Sequence, residues 1–135
     1  MKVIGIDYGT KRIGIAVAET QLGLAFARPV MESKGSVDAD AKVIAELAKE
    51  EECGLVVVGL PLTPSGEEGE QAAISREFGN ALAHEGVTVH FADERYTTAL
   101  ANVALEHLKS RKRKLVADSE AARILLIQYL SERHA

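Results

Sequence analysis

Apolar residues fall into two rhythms along this chain, and the change from one to the other divides it into strands and helices. Lys2 to Asp7 is a short apolar run dense in β-branched residues, Gly9-Thr10-Lys11 supplies turn chemistry, and Ile13, Ile15 and Val17 alternate with smaller residues. This reads as a β-hairpin, and Leu22 to Val30 adds a third strand. From Ser36 the spacing becomes helical: Val43, Ile44, Leu47 and Ala48 share one stripe, Ser36 or Asp38 can cap it, and the helix ends near Glu52. Leu55 to Val58 is apolar on both faces, as in a central strand covered on both sides, and stops at Gly59-Leu60-Pro61. The polar loop Thr63 to Gly69 leads into a helix from about Glu70 to His84 that Gly86 closes. Val87 to Ala92 is a further strand running into Asp93-Glu94-Arg95, after which Thr97 or Thr98 caps a helix to about Lys109. A last helix, Asp118 to about Arg133, carries Ala121, Ala122, Leu125, Leu126 and Tyr129 near one face.

Three leading strands joined by tight turns predict an antiparallel meander, and the two later strands, each preceded by a helix, predict parallel pairing through right-handed crossovers. The expected architecture is α/β: a mixed five-stranded sheet flanked by helices. At 135 residues, 47% hydrophobic and 27% charged, the chain has the size and balance of one globular domain, taken as 1–135. Its longest apolar stretch, Leu55 to Leu62, falls short of the roughly 20 residues that cross a bilayer. Met1 to Asp7 places a carboxylate where a signal peptide needs a continued apolar region, which reads as a native, cytoplasmic start with no membrane partner. Cys53 is the only cysteine, so no intrachain disulfide can form, and it reads as a small buried hydrophobe beginning a strand.

Charge changes that picture in one place. The net charge is −4, yet Arg111, Lys112, Arg113 and Lys114 are consecutive cations, leaving −8 on the rest of the chain. A polyanion is drawn to that segment locally, although a solvated mobile loop explains the run equally well.

Three carboxylates carry the candidate chemistry. Asp7 ends the first strand beside Gly9, with Lys11 and Arg12 following; Asp-x-Gly-Thr suits a divalent cation held against a phosphate, and suits an Asx-turn as well. Asp93-Glu94-Arg95 ends a different strand. Carboxyl ends of strands gather ligands in open α/β sheets, so Asp7 and Asp93 are expected side by side, about 4.8 Å apart if their strands are neighbours. Alternation lets only one of Asp93 and Glu94 face the site, with Asp93 preferred; the competing reading is an exposed ion pair with Arg95. Asp118 opens the last helix, with small Ala121 and Ala122 on its face, and a helix cap accounts for it as readily as a site does. Together the three acids can serve two Mg²⁺ or Mn²⁺ ions roughly 4 Å apart and need no histidine or cysteine. His84, His90, His107 and His134 show no metal-ligand spacing. Tyr8 and Tyr96 flank the acidic motifs and read as packing residues first, base-stacking residues second.

The blocks Gly5-Ile6-Asp7-Tyr8-Gly9-Thr10-Lys11-Arg12-Ile13-Gly14, Val58-Gly59-Leu60-Pro61, Asp93-Glu94-Arg95-Tyr96-Thr97-Thr98 and Asp118-Ser119-Glu120-Ala121-Ala122, in this order over nearly the whole length, resemble the YqgF/RuvX family. The resemblance implies an RNase H-like fold, nuclease activity directed either to the 5′ end of the small-subunit ribosomal RNA precursor or to Holliday junctions, and metal-binding acids at Asp7, Asp93 and Asp118. Related junction resolvases carry an acid at the end of the fourth strand, where this chain has Gly59-Leu60-Pro61; Glu94 or Glu67 are the candidate substitutes, and the loop reads as backbone surface near the substrate. Lys11, Arg12, Arg95 and Arg111 to Lys114 are the expected phosphate contacts.

Two other function classes stay open on the sequence. Asp-x-Gly-Thr also opens the actin-like and sugar-kinase ATPases, which close a second lobe over the nucleotide and need a longer chain. A non-catalytic RNA-binding assembly factor would keep the acids for structure alone. A four-way-junction resolvase would act as a symmetric dimer, which one sequence does not fix.

Overall fold

The computed structural model describes residues 1–93 and 110–134, with side chains up to Asp93 and from Ser119 to Glu132. Its elements are β1 (Lys2–Tyr8), β2 (Arg12–Glu19), β3 (Leu24–Glu32), α1 (Val37–Glu50), β4 (Cys53–Leu60), α2 (Glu70–His84), β5 (Val89–Asp93) and α3 (Ser110–His134). The strands form one sheet in the order β3-β2-β1-β4-β5. β1 to β3 pair antiparallel, whereas β4 and β5 join in parallel. This is the mixed sheet that the strand and helix rhythm predicted.

Local chemistry explains the boundaries. Gly9 makes the β1–β2 turn, where a Cβ would sit 2.5 Å from the Arg12 carbonyl oxygen, so this tight turn requires glycine. Thr20 to Gly23 make the next turn, with the Gly23 N–H donating to the Glu19 carbonyl at 3.0 Å, so β3 starts two residues later than the alternation suggested. Ser36 caps α1 through its Oγ, which accepts from the Ala39 N–H at 3.1 Å. α2 runs over the predicted residues, and the left-handed Gly86 (φ 89°) turns the chain towards β5.

Two apolar layers flank the sheet. On one face Ile4, Ile6, Tyr8, Ile13, Ile15, Val56 and Val58 pack against Ile44 and Ala48 of α1 and Phe78 and Leu82 of α2. On the other, Val3, Ala16, Ala18, Leu55 and Val57 meet Ala122, Leu125, Leu126 and Tyr129 of α3. β4 is buried from Leu55 to Leu60, as its uniform apolarity predicted. Cys53 opens β4 half-buried, and burial raises its thiol pKa.

Two expectations are corrected. The last helix begins at Ser110, so Asp118 lies inside it and does not open it, and Arg111 to Lys114 are helical and not a loop. The reason is compositional: Ser110 to Ala117 contains no glycine or proline and is rich in Lys, Arg, Leu and Ala, all favourable in helices. The helix expected from Thr97 or Thr98 to Lys109 lies outside the described residues.

Candidate active site

Strand alternation decides which side chains can meet. On β1, Ile4, Ile6 and Tyr8 face α1 and α2, whereas Val3 faces α3. Gly5 and Asp7 therefore lie on the α3 side. Contact confirms this for Gly5, where a Cβ would stand 2.5 Å from Leu126 Cγ and 3.0 Å from the Ala122 carbonyl oxygen. Asp7 is half-buried at the carboxyl end of β1.

Register places its neighbours. Asp7 pairs with Gly14 on β2. Ile6 pairs with Val58 on β4, which sets Gly59 beside Asp7, and Gly59 pairs with Ala92 on β5. The row across the sheet at this level reads Gly14, Asp7, Gly59, Ala92, and alternation turns all four towards α3. Asp7 is its only residue larger than alanine, and the two residues flanking it, Gly14 and Gly59, are buried glycines. Within the motif Val58-Gly59-Leu60-Pro61, Gly59 reads only as part of a loop; its value lies in this row, which depends on sheet order.

Asp93 is not on a strand adjacent to β1. β4 stands between β1 and β5, so two strand spacings, about 9.5 Å, separate the backbones where one was expected. Alternation groups Asp93 with Val89 and Phe91, which pack towards α1 and α2. As the exposed last residue of β5 it nevertheless borders a 270 Å³ cleft with Gln128, Tyr129 and Glu132 of α3. Glu94, Arg95 and Tyr96 lie outside the described residues.

The helix segment bearing Asp118 reaches the same end of the sheet. Ser119 Oγ accepts a hydrogen bond from the Ile15 N–H at 3.2 Å, and Ile15 pairs with Ile6, the residue before Asp7. Asp118 thus follows eight residues of α3 and precedes the contact that docks it. A helix cap no longer accounts for this acid, because the helix begins a little over two turns earlier.

Among the described residues no group of three His, Cys, Asp or Glu is placed to hold a metal ion; the side chain of Asp118 and the whole of Glu94 are not among them. The donor chemistry is still of the kind that holds a hard divalent cation, with the Asp7 carboxylate between Gly14 and Gly59 and the Asp93 carboxylate at the end of β5. Glu67 is exposed in the loop after β4, its N–H donating to Thr63 Oγ1 at 3.2 Å. Lys11 is exposed and Arg12 half-buried at the turn following Asp7. Tyr8 packs in the core, 6% exposed and stacked on Phe78 at 4.2 Å, which removes base stacking as its role. His90 Nδ1 is hydrogen-bonded to Tyr129 Oη, tying β5 to α3.

Comparison with known proteins fits this architecture. The structure described as "T. thermophilus RuvC in complex with Holliday junction substrate" superposes with a TM-score of 0.58 at 18% identity, over 100% of this chain and 96% of that one. The yeast mitochondrial Holliday junction resolvase Ydc2 gives 0.53 at 10% identity, over 98% of this chain and 80% of that one. At those identities the likeness establishes the RNase H-like fold. A protein of Myxococcus xanthus named "Putative pre-16S rRNA nuclease" is 41% identical over 133 residues, covering 96% of this chain and 87% of that protein. Its namesake in Nitrosospira multiformis is 37% identical over 135 residues, covering 98% and 89%. Residues 1–132 match the family described as "RuvX: Holliday junction resolvase", and this chain belongs to that family.

Proposed function

We propose that this protein is a metal-dependent endonuclease that trims the 5′ end of the 16S ribosomal RNA precursor, with Asp7, Asp93 and Asp118 holding Mg²⁺ or Mn²⁺. Hydrolysis of nucleic-acid phosphodiester bonds is the activity that its family and its nuclease-named relatives share. The carrying observation is the row Gly14, Asp7, Gly59, Ala92 beneath α3, which sets only glycine on either side of the Asp7 carboxylate. A divalent cation held there supplies an activated water and stabilises the leaving oxygen. The chain's own groups do the rest: Asp7 anchors from the sheet, Asp118 from the helix and Asp93, or Glu94 in its place, from the mouth of the cleft. Lys11 and Arg12 at the β1–β2 turn, Arg95 after β5 and Arg111 to Lys114 on the first turns of α3 contact backbone phosphates.

The family's description favours a second reading, resolution of four-way DNA junctions. Two cuts placed symmetrically on one branch point then require a homodimer. No described helix is long and apolar enough to cross a membrane, and the proposed place of work is the cytoplasm, where the precursor is made.

Side-by-side cleavage of a precursor fragment and a four-way junction with Mg²⁺ or Mn²⁺ decides between the two, with sedimentation giving the oligomeric state. The expected result is cut precursor and a monomer. A cut junction and a dimer would reverse the order. Asp7→Asn should abolish cleavage with the thermal melt intact; full activity in that variant would overturn the role of Asp7, and no cleavage of either substrate by the wild type would leave a non-catalytic RNA-binding factor in place of the enzyme.

A further inference from the structure

Ser119 is nearly fully buried, 3% exposed, and its Oγ takes the Ile15 N–H at 3.2 Å from a residue 104 positions away in the chain. Ile15 stands where β2 and β3 slip in register. Ile13 faces Met31 but Ile15 faces Arg28, so β3 spends one residue more than β2 over that interval. Pro29, which has no N–H to give, lies in the irregular stretch. A helix side chain therefore reaches into the sheet at the one place where the β2–β3 ladder is interrupted.

The location ties this bond to the proposed site. Ile15 pairs with Ile6, which precedes Asp7, and Ser119 follows Asp118. One turn further along, α3 lies on Gly5 through Ala122 and Leu126. Those are packing contacts of the Leu126 side chain and the Ala122 backbone and not hydrogen bonds, so they resist lifting of the helix more than rolling or sliding. A buried hydrogen bond is directional and sets both.

We infer that Ser119 is a positioning residue for Asp118, fixing the rotation and height of α3 so that its acid stands in register with Asp7. The inference rests on the reading of Asp118 as a metal-holding acid. It assigns Ser119 no contact with metal or substrate, only the orientation of the residue before it.

The test uses Mn²⁺ alone as probe, with binding followed by electron paramagnetic resonance and without nucleic acid, beside the thermal melt and the metal dependence of cleavage. Ser119→Ala should weaken Mn²⁺ binding about 10- to 100-fold, the range for groups that orient a metal's ligands. Ser119→Thr, which keeps the hydroxyl, should recover most of that loss. Should the alanine variant fail to fold, Ser119→Cys, close in volume and a poor acceptor, gives the same reading. Asp118→Asn should lose both Mn²⁺ binding and cleavage. If Asp118→Asn binds Mn²⁺ like the wild type, the reading of Asp118 itself is overturned. If it loses Mn²⁺ while Ser119→Ala keeps wild-type affinity, or melts lower with affinity unchanged, the positioning role is overturned.

Discussion

Tyr8 Oη donates to Asp40 Oδ2 at 2.6 Å, which anchors the residue after Asp7 to a fully buried carboxylate on the opposite face of the sheet. Asp40 also accepts from Ser33 Oγ at 2.6 Å and from the Lys34 N–H at 2.6 Å. A buried carboxylate with three donors is satisfied, and each donor then depends on it. Tyr8→Phe keeps the stack on Phe78 and removes one bond to a charged group, so it should cost about 1.5–3 kcal/mol of stability. Asp40→Ala should cost more, because it strands three donors at once. Urea denaturation measures both, and values within about 0.5 kcal/mol of wild type would mean the network carries no stability.

The same phenol predicts an alkaline limit. Burial first, then the bond and charge of Asp40, hold the Tyr8 pKa well above the ordinary phenol value near 10. Raised in the folded state, this group leaves stability unaffected while both states keep the proton. Above pH 10 the unfolded chain releases it and the folded chain does not, so stability falls by about 1.4 kcal/mol per pH unit for this one proton. Tyr8→Phe should flatten that slope between pH 10 and 11 while lowering stability at neutral pH. Denaturant midpoints across the range decide it, and an unaltered slope in the variant would contradict the assignment.

Gly5 sets how closely α3 can lie. A Cβ there would meet Leu126 Cγ at 2.5 Å and the Ala122 carbonyl at 3.0 Å, a branch point and a backbone atom that cannot swing aside. Gly5→Ala should therefore push α3 outward and cost about 1–3 kcal/mol as an overpacked core does. Because α3 carries Asp118, Mn²⁺ affinity should fall with it. Gly79→Ala is the control: its Cβ would strike the far edge of the Phe91 ring at 2.4 Å, on the face away from α3. That variant should destabilise without weakening Mn²⁺ binding, and equal effects of the two on metal would separate helix height from the site.

Much of this was legible because it is local. The β1–β2 hairpin, the Ser36 cap and the bounds of α2 follow from turn and cap chemistry within a few residues. The start of α3 was not, because four cations in a row resemble a solvated loop although Lys and Arg are good helix formers. The separation of Asp7 from Asp93 was hidden for another reason: only the sheet order reveals that β4 lies between them. Ser119 shows the same limit. Nothing in the sequence marks a helical serine as the partner of an N–H at a slipped register more than 100 positions away.

The helical setting of the basic run turns a general expectation into a specific one. In a mobile loop all four cations could contact one phosphate strand and their removal would be nearly equivalent. On α3 they are separated by about 100° each, so positions 111 and 114 fall on the same side of the helix as position 118, while 112 and 113 fall on other sides. Replacing Arg111 and Lys114 together by alanine should weaken nucleic-acid binding and lower the slope of log K against log salt by up to about 0.9 for each duplex phosphate no longer neutralised. Replacing Lys112 and Arg113 should do markedly less to either quantity. Filter binding of an uncleaved substrate to Asp7→Asn protein, from low to physiological salt, measures both without turnover. Equal losses from the two pairs would mean that the run acts as an undirected positive field, and that the face shared with Asp118 has no part in guiding the backbone towards the acids.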